Sequence, residues 1–560
     1  MIEDSLKRQI QAVAAKFKNI ELEAIELSYP DPKFGDFTTN IALKLAAELD
    51  NSTTPRQIAE QLAAELNSID SNELEAVEVA GPGFINIRLS TLALGRELMQ
   101  EPTETLLNQL IVIEFSDPNP FKQLHAGHFY TSVVGDSIAR LLEAVGAKVK
   151  RLNYGSDVGL HVGKTLWGIL AALGGEHPEK LNSIAEGERS AWMSRQYVLG
   201  NKAFDSDATA KATIYDLNKR VYGIFAGNDH DSPLARIYWT CRQWSYDAFD
   251  QFYASIHITF DRYYPESRSV PISLELVKEQ LARGVFEKSD GAVIFRGDKY
   301  ALHTRVFINS QGLPTYEAKD IGTAVLKSQD YDYDRSIIIT GNEIEQYLAV
   351  VFKAIEQFRP DLSAKTLHLP HGMVRLAGGK KMGSRLGNVV TAEDVLTTTA
   401  KAALSVSGVE DSRVVLGAIK YSFLKQRLGG DIVYEPEESV NILGNSGPYL
   451  QYAHARAKSI LAKASKQPTT DADSLTKEER ALELKLSRFA ATINQAAAEM
   501  APHILCIYLY ELSQVFNRFY EDSRVVGDER EAFRLFLVKT YADRLRQGLS
   551  LLGIEAPDKL

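Results

Sequence analysis

Two kinds of apolar pattern alternate along the central part of this chain. Residues 111–115 form a short, nearly continuous apolar run typical of a buried strand, whereas residues 130–144 place apolar side chains at helical spacing. Strands are predicted at 110–115, 149–153, 292–295, 305–308 and 336–340, with helices between them. This alternation predicts a doubly wound parallel sheet with insertions over residues 106–409. The polar, helical stretch 187–228 is predicted to be part of an insertion.

The two flanking regions have different patterns. Residues 1–105 predict a small α+β domain, with helices at 2–18 and 40–48 and strands at 74–79 and 84–89. After residue 410 the strand pattern ends, and long amphipathic helices are predicted at 447–465, 477–500, 502–520 and 530–552. Residues 410–560 therefore predict a helical bundle.

Composition narrows the class of protein. A chain of 560 residues is long enough for about three or four domains. Its 45% hydrophobic and 24% charged residues are ordinary for a soluble globular protein, and no apolar run is long enough to predict a membrane span. The chain opens on a polar amphipathic helix, so no signal peptide is predicted. Two distant cysteines, Cys241 and Cys506, indicate a reducing, cytoplasmic setting. A net charge of −10 neither supports nor excludes binding to nucleic acid.

The tetrapeptide His125-Ala126-Gly127-His128 lies where the first predicted strand gives way to a helix. Phosphates bind at such positions in open α/β sheets, because the unpaired N–H groups and the dipole of a helix start favour anions. Two imidazoles can donate to phosphate oxygens, and the glycine leaves room for a flat base. Two alternatives remain: the histidines could be metal ligands, although no third ligand stands at a usual spacing, or ordinary helix caps.

A second stretch, residues 378–388, combines four glycines with three cations and no acid. Such a loop would become ordered around a polyphosphate, whereas a solvated surface loop is the alternative interpretation. Thr391 follows as a predicted helix N-cap, with Asp394 three residues later. Residues 159–165 approach a phosphate-binding P-loop, but only three residues separate their glycines where that loop needs four.

Taken in order, these segments resemble the class I aminoacyl-tRNA synthetases, and among them the arginyl-tRNA synthetases. His125-Ala126-Gly127-His128 resembles the HIGH motif, and Lys381-Met382-Gly383-Ser384-Arg385 resembles KMSKS. Further similar blocks lie at 34–40, 114–120, 153–159, 312–320 and 444–456. The resemblance implies a Rossmann-like catalytic domain at 106–409, an N-terminal tRNA-binding domain at 1–105 and an anticodon-binding helical domain at 410–560.

The resemblance also implies a reaction. Arginine is activated by ATP to an adenylate, and the arginyl group is then transferred to the terminal adenosine of tRNA(Arg). Neither step requires a protein nucleophile, so catalysis is expected to come from positioning and electrostatic stabilisation. Mg²⁺ is expected to bridge the phosphates. The implied ATP-binding residues are His125, Gly127, His128, Lys381, Ser384 and Arg385.

The loop departs from the KMSKS pattern. Ser384 replaces its second lysine, which removes one cation. Arginyl enzymes of this kind often carry a lysine just before HIGH, and Lys122 stands there, so we expect Lys122 to supply the missing charge. Lys380 and Arg385 are alternative suppliers. A second departure is His161, where the family usually has Gln, and its role is left open.

Recognition of arginine requires a planar acceptor for the guanidinium group. Asp320 is the expected acceptor, with Tyr316 one helical turn earlier. Glu114 could add a second carboxylate, and the resemblance implies that Asn119 fixes the α-amino group. Glu343 and Gln346 are looser candidates for the same site. Without the resemblance, Tyr316 and Asp320 would be a helix-surface pair and Glu114 a capped or paired carboxylate.

Contacts with RNA are expected from two regions. Tyr449, Tyr452 and Arg456 fall near one helical face and could stack on unpaired anticodon bases, although Tyr452 also fits core packing. By resemblance, Asn40 contacts the D-loop of the tRNA. Leu560 replaces the family's terminal methionine. The resemblance also implies that the chain is a monomer.

Two other functions fit part of the pattern. The first is a ligase of the same superfamily that forms an adenylate without tRNA, although the long helical region after residue 410 disfavours it. The second is a catalytically inactive relative that only binds RNA, although the presence of His125, His128 and Lys381 disfavours it.

Overall fold

A computed structural model describes residues 2–49, 53–69, 71–376, 390–408, 411–470, 472 and 474–560. The N-terminal region packs helices against a three-stranded antiparallel sheet in the order β1-β3-β2. Its elements are α1 (Ile2–Ala14), β1 (Phe37–Thr39), α2 (Ile41–Glu48), α3 (Pro55–Ser68), β2 (Leu74–Ala80), β3 (Phe84–Leu89) and α4 (Thr91–Leu98). The predicted α+β character is confirmed, with the first helix ending at Ala14 and not at residue 18.

The central region alternates strands and helices as predicted. Its elements are β4 (Leu110–Glu114), α5 (Ala126–Ala144), β5 (Lys148–Gly155), α6 (Leu160–Leu173), α7 (Arg189–Ser206), α8 (Ala208–Ala226), α9 (Pro233–Ser255), β6 (Arg262–Pro265), α10 (Glu266–Ala282), β7 (Glu287–Ser289), β8 (Ala292–Phe295), β9 (Arg305–Ile308), α11 (Tyr316–Asp330), β10 (Arg335–Gly341), α12 (Glu345–Glu356), α13 (Pro360–Lys365), β11 (Thr366–His371), β12 (Val374–Leu376) and α14 (Ala392–Ser407).

Five of these strands form the predicted parallel sheet, in the order β11-β10-β4-β5-β6. The chain runs from β4 to β5 on one side, whereas β10 joins β4 on the other side. This reversal of strand order opens a crevice at the carboxyl ends of β4 and β10, which is where ligands bind in sheets of this kind.

Two predicted strands lie outside that sheet. β8 and β9, expected to be parallel members of it, form a separate antiparallel sheet with β7. The expectation was wrong because only residues 296–304 connect β8 to β9, and a parallel pair needs a crossover of about a dozen residues or more.

Helix α5, which carries the HIGH-like residues at its start, is buried on nearly every side. Of its 19 residues, 14 are buried. At Gly135 a β-carbon would lie 2.1 Å from Cγ of Phe115, so glycine allows the ring that follows β4 to cross the helix. On its other side α5 packs into the same apolar core as the C-terminal helices, and Ser137 Oγ donates to the carbonyl of Leu551 at 3.1 Å.

The C-terminal region is the predicted bundle. Its elements are α15 (Ser412–Leu424), β13 (Ile432–Tyr434), α16 (Pro436–Ser439), α17 (Gly447–Ala462), α18 (Lys477–Ser487), α19 (Phe489–Ala498), α20 (Pro502–Asp522) and α21 (Glu531–Leu551). Two details differ from the expectation. A short strand, β13, pairs in parallel with β12, and the helix predicted at 477–500 ends at Ser487 and restarts after Arg488 as α19.

Within the described residues no helix has both the length and the apolar character that a membrane crossing requires. Cys241 and Cys506 are both buried free thiols.

The N-terminal sheet is joined to the bundle through a buried ion pair. Arg480 of α18 donates to Asp36 Oδ2 at 2.6 Å and to the carbonyl of Leu89 at 2.8 Å. Asp36 also accepts the backbone N–H of Leu89 at 2.7 Å and is only 1% exposed. Nearby, the Arg488 guanidinium lies 3.5 Å from the ring centre of Tyr29.

Replacing Arg480 with Met should therefore destabilise the protein. It would leave the Asp36 carboxylate buried with one partner, at a cost of roughly 3–5 kcal/mol. Thermal melting is the measurement, with the exposed Lys477 changed to Met as the control. Adding Asp36→Asn to the Arg480 variant should recover part of the loss, and equal melting temperatures for all four proteins would contradict this role.

Candidate active site

The segment between β4 and α5 is fastened to the end of β5. Ser116 and Asp117 have φ of 77° and 49°, a region that few residues other than glycine adopt. Asp117 Oδ1 accepts the N–H of Tyr154 at 3.1 Å, and Asn119 Oδ1 accepts the N–H of Ser156 at 3.2 Å. Side chains thus replace the backbone pairing that ends with β4, and they fix the approach to the HIGH-like residues.

His125 and His128 cap helix α5 reciprocally. His125 Nδ1 accepts the N–H of His128 at 3.2 Å, and His128 Nδ1 accepts the N–H of His125 at 3.2 Å. The two rings stack with centres 3.5 Å apart. A β-carbon at Gly127 would lie 2.9 Å from His125 Nδ1, so the glycine keeps this arrangement open. The helix-cap alternative is therefore correct, and it involves only the Nδ1 atoms.

This capping fixes the tautomer of both rings. Burial, with the Lys122 charge, lowers the pKa of His125 to about 4, and burial lowers the pKa of His128 well below its usual range. Both imidazoles are therefore neutral near pH 7. Because each Nδ1 accepts a backbone N–H, each ring proton is on Nε2. The pair offers two neutral N–H donors at a helix start.

The residues that follow the KMSKS-like segment are hydrogen-bonded to the backbone at the start of α5. The N–H of Ala126 donates to the carbonyl of Val390 at 3.0 Å, and the N–H of Ala392 donates to that of Leu124 at 3.0 Å. Thr391 caps α14 with Asp394, as predicted. Lys380, Lys381, Ser384 and Arg385, predicted from the KMSKS-like segment, lie outside the described residues.

Lys122 lies just before the histidine pair. Its ammonium is 3.9 Å from the ring centre of Tyr197 in α7. Its charge lowers the pKa of His125, His128 and His161, which places it within electrostatic reach of all three.

A cavity of about 160 Å³ opens at the carboxyl ends of β4 and β10. Its lining includes Glu114, Asn119, Tyr316 and Asp320, all predicted site residues. Apolar side chains form another part of the wall, among them Ile338, Leu348, Val351 and Phe352. An elongated ligand with an apolar stem and a polar, cationic end fits such walls.

Asp320 is the central carboxyl of the cavity. Tyr347 Oη donates to it, and burial raises the pKa of Asp320 to about 7. The Asp117 residue is partly exposed, but burial of its carboxyl group together with the Glu114 charge raises its pKa well above the usual range. Glu114 itself pairs with Lys327, whose Nζ lies 3.0 Å from Glu114 Oε2.

His161, whose role the sequence left open, has a defined hydrogen-bond partner. Its Nε2 donates to the carbonyl of Ser156 at 2.8 Å, since a carbonyl can only accept. Burial lowers its pKa well below the usual range, so the neutral ring leaves Nδ1 as an acceptor, and the Tyr316 hydroxyl lies 3.4 Å from it. The Tyr316 residue is 48% exposed, but burial of its hydroxyl end raises its pKa to about 12. His161 therefore orients the Tyr316 hydroxyl.

Several side chains around the cavity were not anticipated from the sequence. Glu266 is fully buried and accepts from Lys319, from Tyr154 Oη at 2.6 Å and from Ser156 Oγ at 2.5 Å. Tyr347 contacts Asp320, whereas its neighbour Gln346, a predicted site residue, is exposed. Glu343 is also exposed.

Family models match the chain in three consecutive parts. The class I tRNA synthetase (R) catalytic domain matches residues 91–427, the arginyl tRNA synthetase N-terminal domain matches residues 2–89, and the DALR anticodon binding domain matches residues 450–560. The chain belongs to the arginyl-tRNA synthetase family. The expectation drawn from the motifs is confirmed, as is the fold class.

Similar proteins match most or all of the length of this chain. An arginine–tRNA ligase of Flavobacterium psychrophilum is 31% identical over 81% of this chain and 80% of its own. The Thermus thermophilus arginyl-tRNA synthetase structure matches with a TM-score of 0.79 at 25% identity, covering 100% of both chains. The Plasmodium falciparum structure matches in fold, with a TM-score of 0.78 at 20% identity, covering 100% of this chain and 99% of its own.

In helix α17, at the start of the part matched as an anticodon binding domain, two of the three predicted residues, Tyr449 and Arg456, share one hydrogen-bond partner. Asn517 Nδ2 donates to Tyr449 Oη at 2.8 Å, and Arg456 donates to Asn517 Oδ1 at 2.9 Å. Tyr452 is partly exposed and Arg456 exposed. In the N-terminal region Asn40 occupies the N-cap position of α2 without capping it through its side chain. Leu560, at the chain end, is 40% exposed.

Proposed function

We propose that this chain joins L-arginine to the 3′-terminal adenosine of tRNA(Arg) at the expense of ATP. In the first step a carboxylate oxygen of arginine attacks the α-phosphorus of ATP, and pyrophosphate leaves. In the second step a ribose hydroxyl attacks the arginyl carbonyl, and AMP leaves. The observation that carries the proposal is the acid-lined cavity around Asp320, whose lining includes Asn119 from the segment that leads from β4 to the start of α5, where His125 and His128 lie.

Arginine is assigned to that cavity by charge. Glu266 and Glu114 are each paired with a lysine, so among the described residues of the wall Asp117 and Asp320 are the carboxyl groups without a cationic partner. Arginine brings two cations, its guanidinium and its α-ammonium. Asp320 takes the guanidinium, and Tyr316 accepts from it because its own proton is directed to His161. Because Lys327 already neutralises Glu114, we assign Glu114 to the charge balance of the site and not to direct contact.

The α-amino group of arginine is assigned to Asn119. We also assign to Gln346 a contact with arginine at the edge of the cavity. Asn119 Oδ1 already accepts the N–H of Ser156. A carbonyl oxygen has a second lone pair that can accept from an ammonium group.

ATP is assigned to the histidine pair. The two Nε2–H donors meet phosphate oxygens as charge develops in the transition state, and Gly127 lets the nucleotide approach the backbone. We assign further positive charge to Lys122 and Lys381, and additional contacts with ATP to Ser384 and Arg385. Preorganised donors of this kind lower the barrier because they do not reorganise during the reaction.

Mg²⁺ is proposed as a companion of ATP that is held by phosphate oxygens. Within the part of the chain that the structure describes, no group of three or more His, Cys, Asp or Glu side chains is arranged to hold a metal ion, so the phosphates of ATP are the ligands we assign to it. No step is assigned to the metal.

tRNA(Arg) is proposed to bind across three domains, 1–105, 106–409 and 410–560. Asn40 contacts the D-loop, while Tyr449, Tyr452 and Arg456 contact the anticodon. Stacking on aromatic and guanidinium groups suits unpaired bases. We further propose a cytoplasmic, monomeric enzyme.

Arginine-dependent exchange of pyrophosphate into ATP, measured with and without tRNA(Arg), tests this function. The proposal expects exchange that requires tRNA. Exchange without tRNA would favour a ligase that forms only an adenylate, and its absence under both conditions would favour an inactive RNA-binding relative. Aminoacylation with each of the other amino acids is the control for specificity.

Arginine binding should depend on pH near neutrality. The pKa of Asp320 is raised to about 7, so its carboxylate is half present at pH 7, nearly complete about one unit above and nearly lost about one unit below. Since the guanidinium requires the charged form, the KM for arginine should level off above about pH 8 and approach a tenfold rise per pH unit below about pH 6. Steady-state kinetics from pH 5.5 to 8.5 measure this, and Asp320→Asn should abolish the dependence. A flat wild-type profile would contradict it.

A further inference from the structure

The residues just before the histidine pair are held by the insertion that interrupts the sheet. The N–H of Gln123 donates to Ser194 Oγ of α7 at 2.7 Å. The N–H of Phe121 donates to Ser245 Oγ of α9 at 2.8 Å. Helices α7 and α9 therefore fix the backbone on both sides of Lys122.

The Lys122 side chain meets the same face of α7. Its Nζ lies 3.9 Å from the ring centre of Tyr197, which is 8% exposed. Ser194 and Tyr197 are three residues apart, so they lie on one helical face. One face of one helix thus contacts both the backbone beside Lys122 and the charge at the end of its side chain.

A lysine ammonium over an aromatic ring is attracted by the ring quadrupole, and more strongly where water is excluded. An unrestrained lysine has four rotatable bonds and loses much rotamer freedom when it is ordered. The ring removes part of that cost before ATP binds. Because Lys122 acts electrostatically on His125 and His128, a fixed position for its ammonium is a fixed charge beside both donors.

We propose that Tyr197 is a positioning residue for ATP activation: its ring holds the Lys122 ammonium beside the histidine pair. The insertion then contributes to the ATP site through α7, in addition to any contact with other parts of the substrates. This inference rests on the proposed function, because it assumes that Lys122 supplies charge to the phosphates.

The test is a double-mutant cycle in pyrophosphate exchange, with arginine, ATP and tRNA(Arg) saturating. Tyr197→Leu should slow exchange by about 3- to 30-fold, the range of a cation–π contact. Tyr197→Phe keeps the ring face, so this variant should retain most of the wild-type exchange rate. In a Lys122→Met background, Tyr197→Leu should slow exchange less than twofold further, because the charge that the ring positions is already absent.

A matched control lies on the same helix. Phe204 sits beneath Lys164, with 4.2 Å between the ammonium and the ring centre. Phe204→Leu removes a contact of the same kind and should change the exchange rate by the same factor whether or not Lys122→Met is also present. Tyr197→Met, which fills the space without a ring, serves if the Leu variant melts at a lower temperature.

The outcomes distinguish the positioning role of Tyr197 from the proposed function. Equal losses from Tyr197→Leu with and without Lys122 would overturn the positioning role, as would equal slowing by Phe and Leu. A Lys122→Met enzyme with normal exchange would overturn both the role of Lys122 and that of Tyr197. Failure of the wild type to exchange pyrophosphate in the presence of arginine and tRNA would instead refute the proposed function.

Discussion

Asp320→Asn is expected to raise the KM for arginine and to lower kcat/KM by roughly 10²- to 10³-fold. Removing one charge of a buried pair costs about 2–5 kcal/mol, much of it because the other charge stays buried without a counterion. The amide oxygen of Asn can still accept from Tyr347, so the local fold should persist. Aminoacylation kinetics over a range of arginine concentrations, with ATP and tRNA saturating, measure the change.

Asp332→Asn is the matched control for that experiment. Asp332 follows the end of α11, the helix that carries Asp320, and it is exposed. The control should keep wild-type kinetics, since an exposed charge far from the cavity contributes little. If Asp320→Asn changed kcat/KM for arginine by less than about threefold, the guanidinium would not bind at Asp320.

His125→Asn should lower kcat by roughly 10²- to 10³-fold, the effect of removing one preorganised donor at developing charge. The Asn side-chain oxygen can replace Nδ1 as the cap of α5, because Asn is a favourable N-cap residue. The melting temperature should therefore change little, while the Nε2–H donor is lost. Single-turnover formation of the adenylate measures the effect on chemistry directly.

His125→Gln is the companion variant. Its longer side chain places an amide N–H nearer the position of Nε2 but caps the helix poorly. The Gln variant should therefore have a lower melting temperature than the Asn variant but a higher kcat. If Asn and Gln slowed the reaction equally, the donor at Nε2 would not be the group that acts, and His125 would serve only as the cap of α5.

The parallel sheet could be predicted where its strands lie in the interior. β4 is buried along nearly its whole length, so its apolar run is distinct in the sequence. β6 and β11 were missed because they are the two edge strands and their sequences lack that run. Both contain a proline, Pro265 and Pro370, which an edge strand tolerates because one side of its backbone is unpaired.

The candidate site divides in the same way. His125, His128, Tyr316 and Asp320 could be proposed because they fall in ordered motifs. Glu266 could not, since its role depends on Lys319, Tyr154 and Ser156, which reach it from other elements. The pairing of Glu114 with Lys327 joins residues 213 positions apart, a separation at which a single sequence carries no signal of contact.

Helix α5 lies in the central region but shares an apolar core with the C-terminal helices, which the ribosome makes much later. Its far side is covered by helices that end at Leu551, whereas the helix itself ends at Ala144, 407 residues earlier. At about 5–20 residues per second, the ribosome needs roughly 20–80 s to supply that cover. During this time the apolar face of α5 beside the histidine pair lacks its native cover, so we expect the burial of this helix to be completed only after the last helix has emerged.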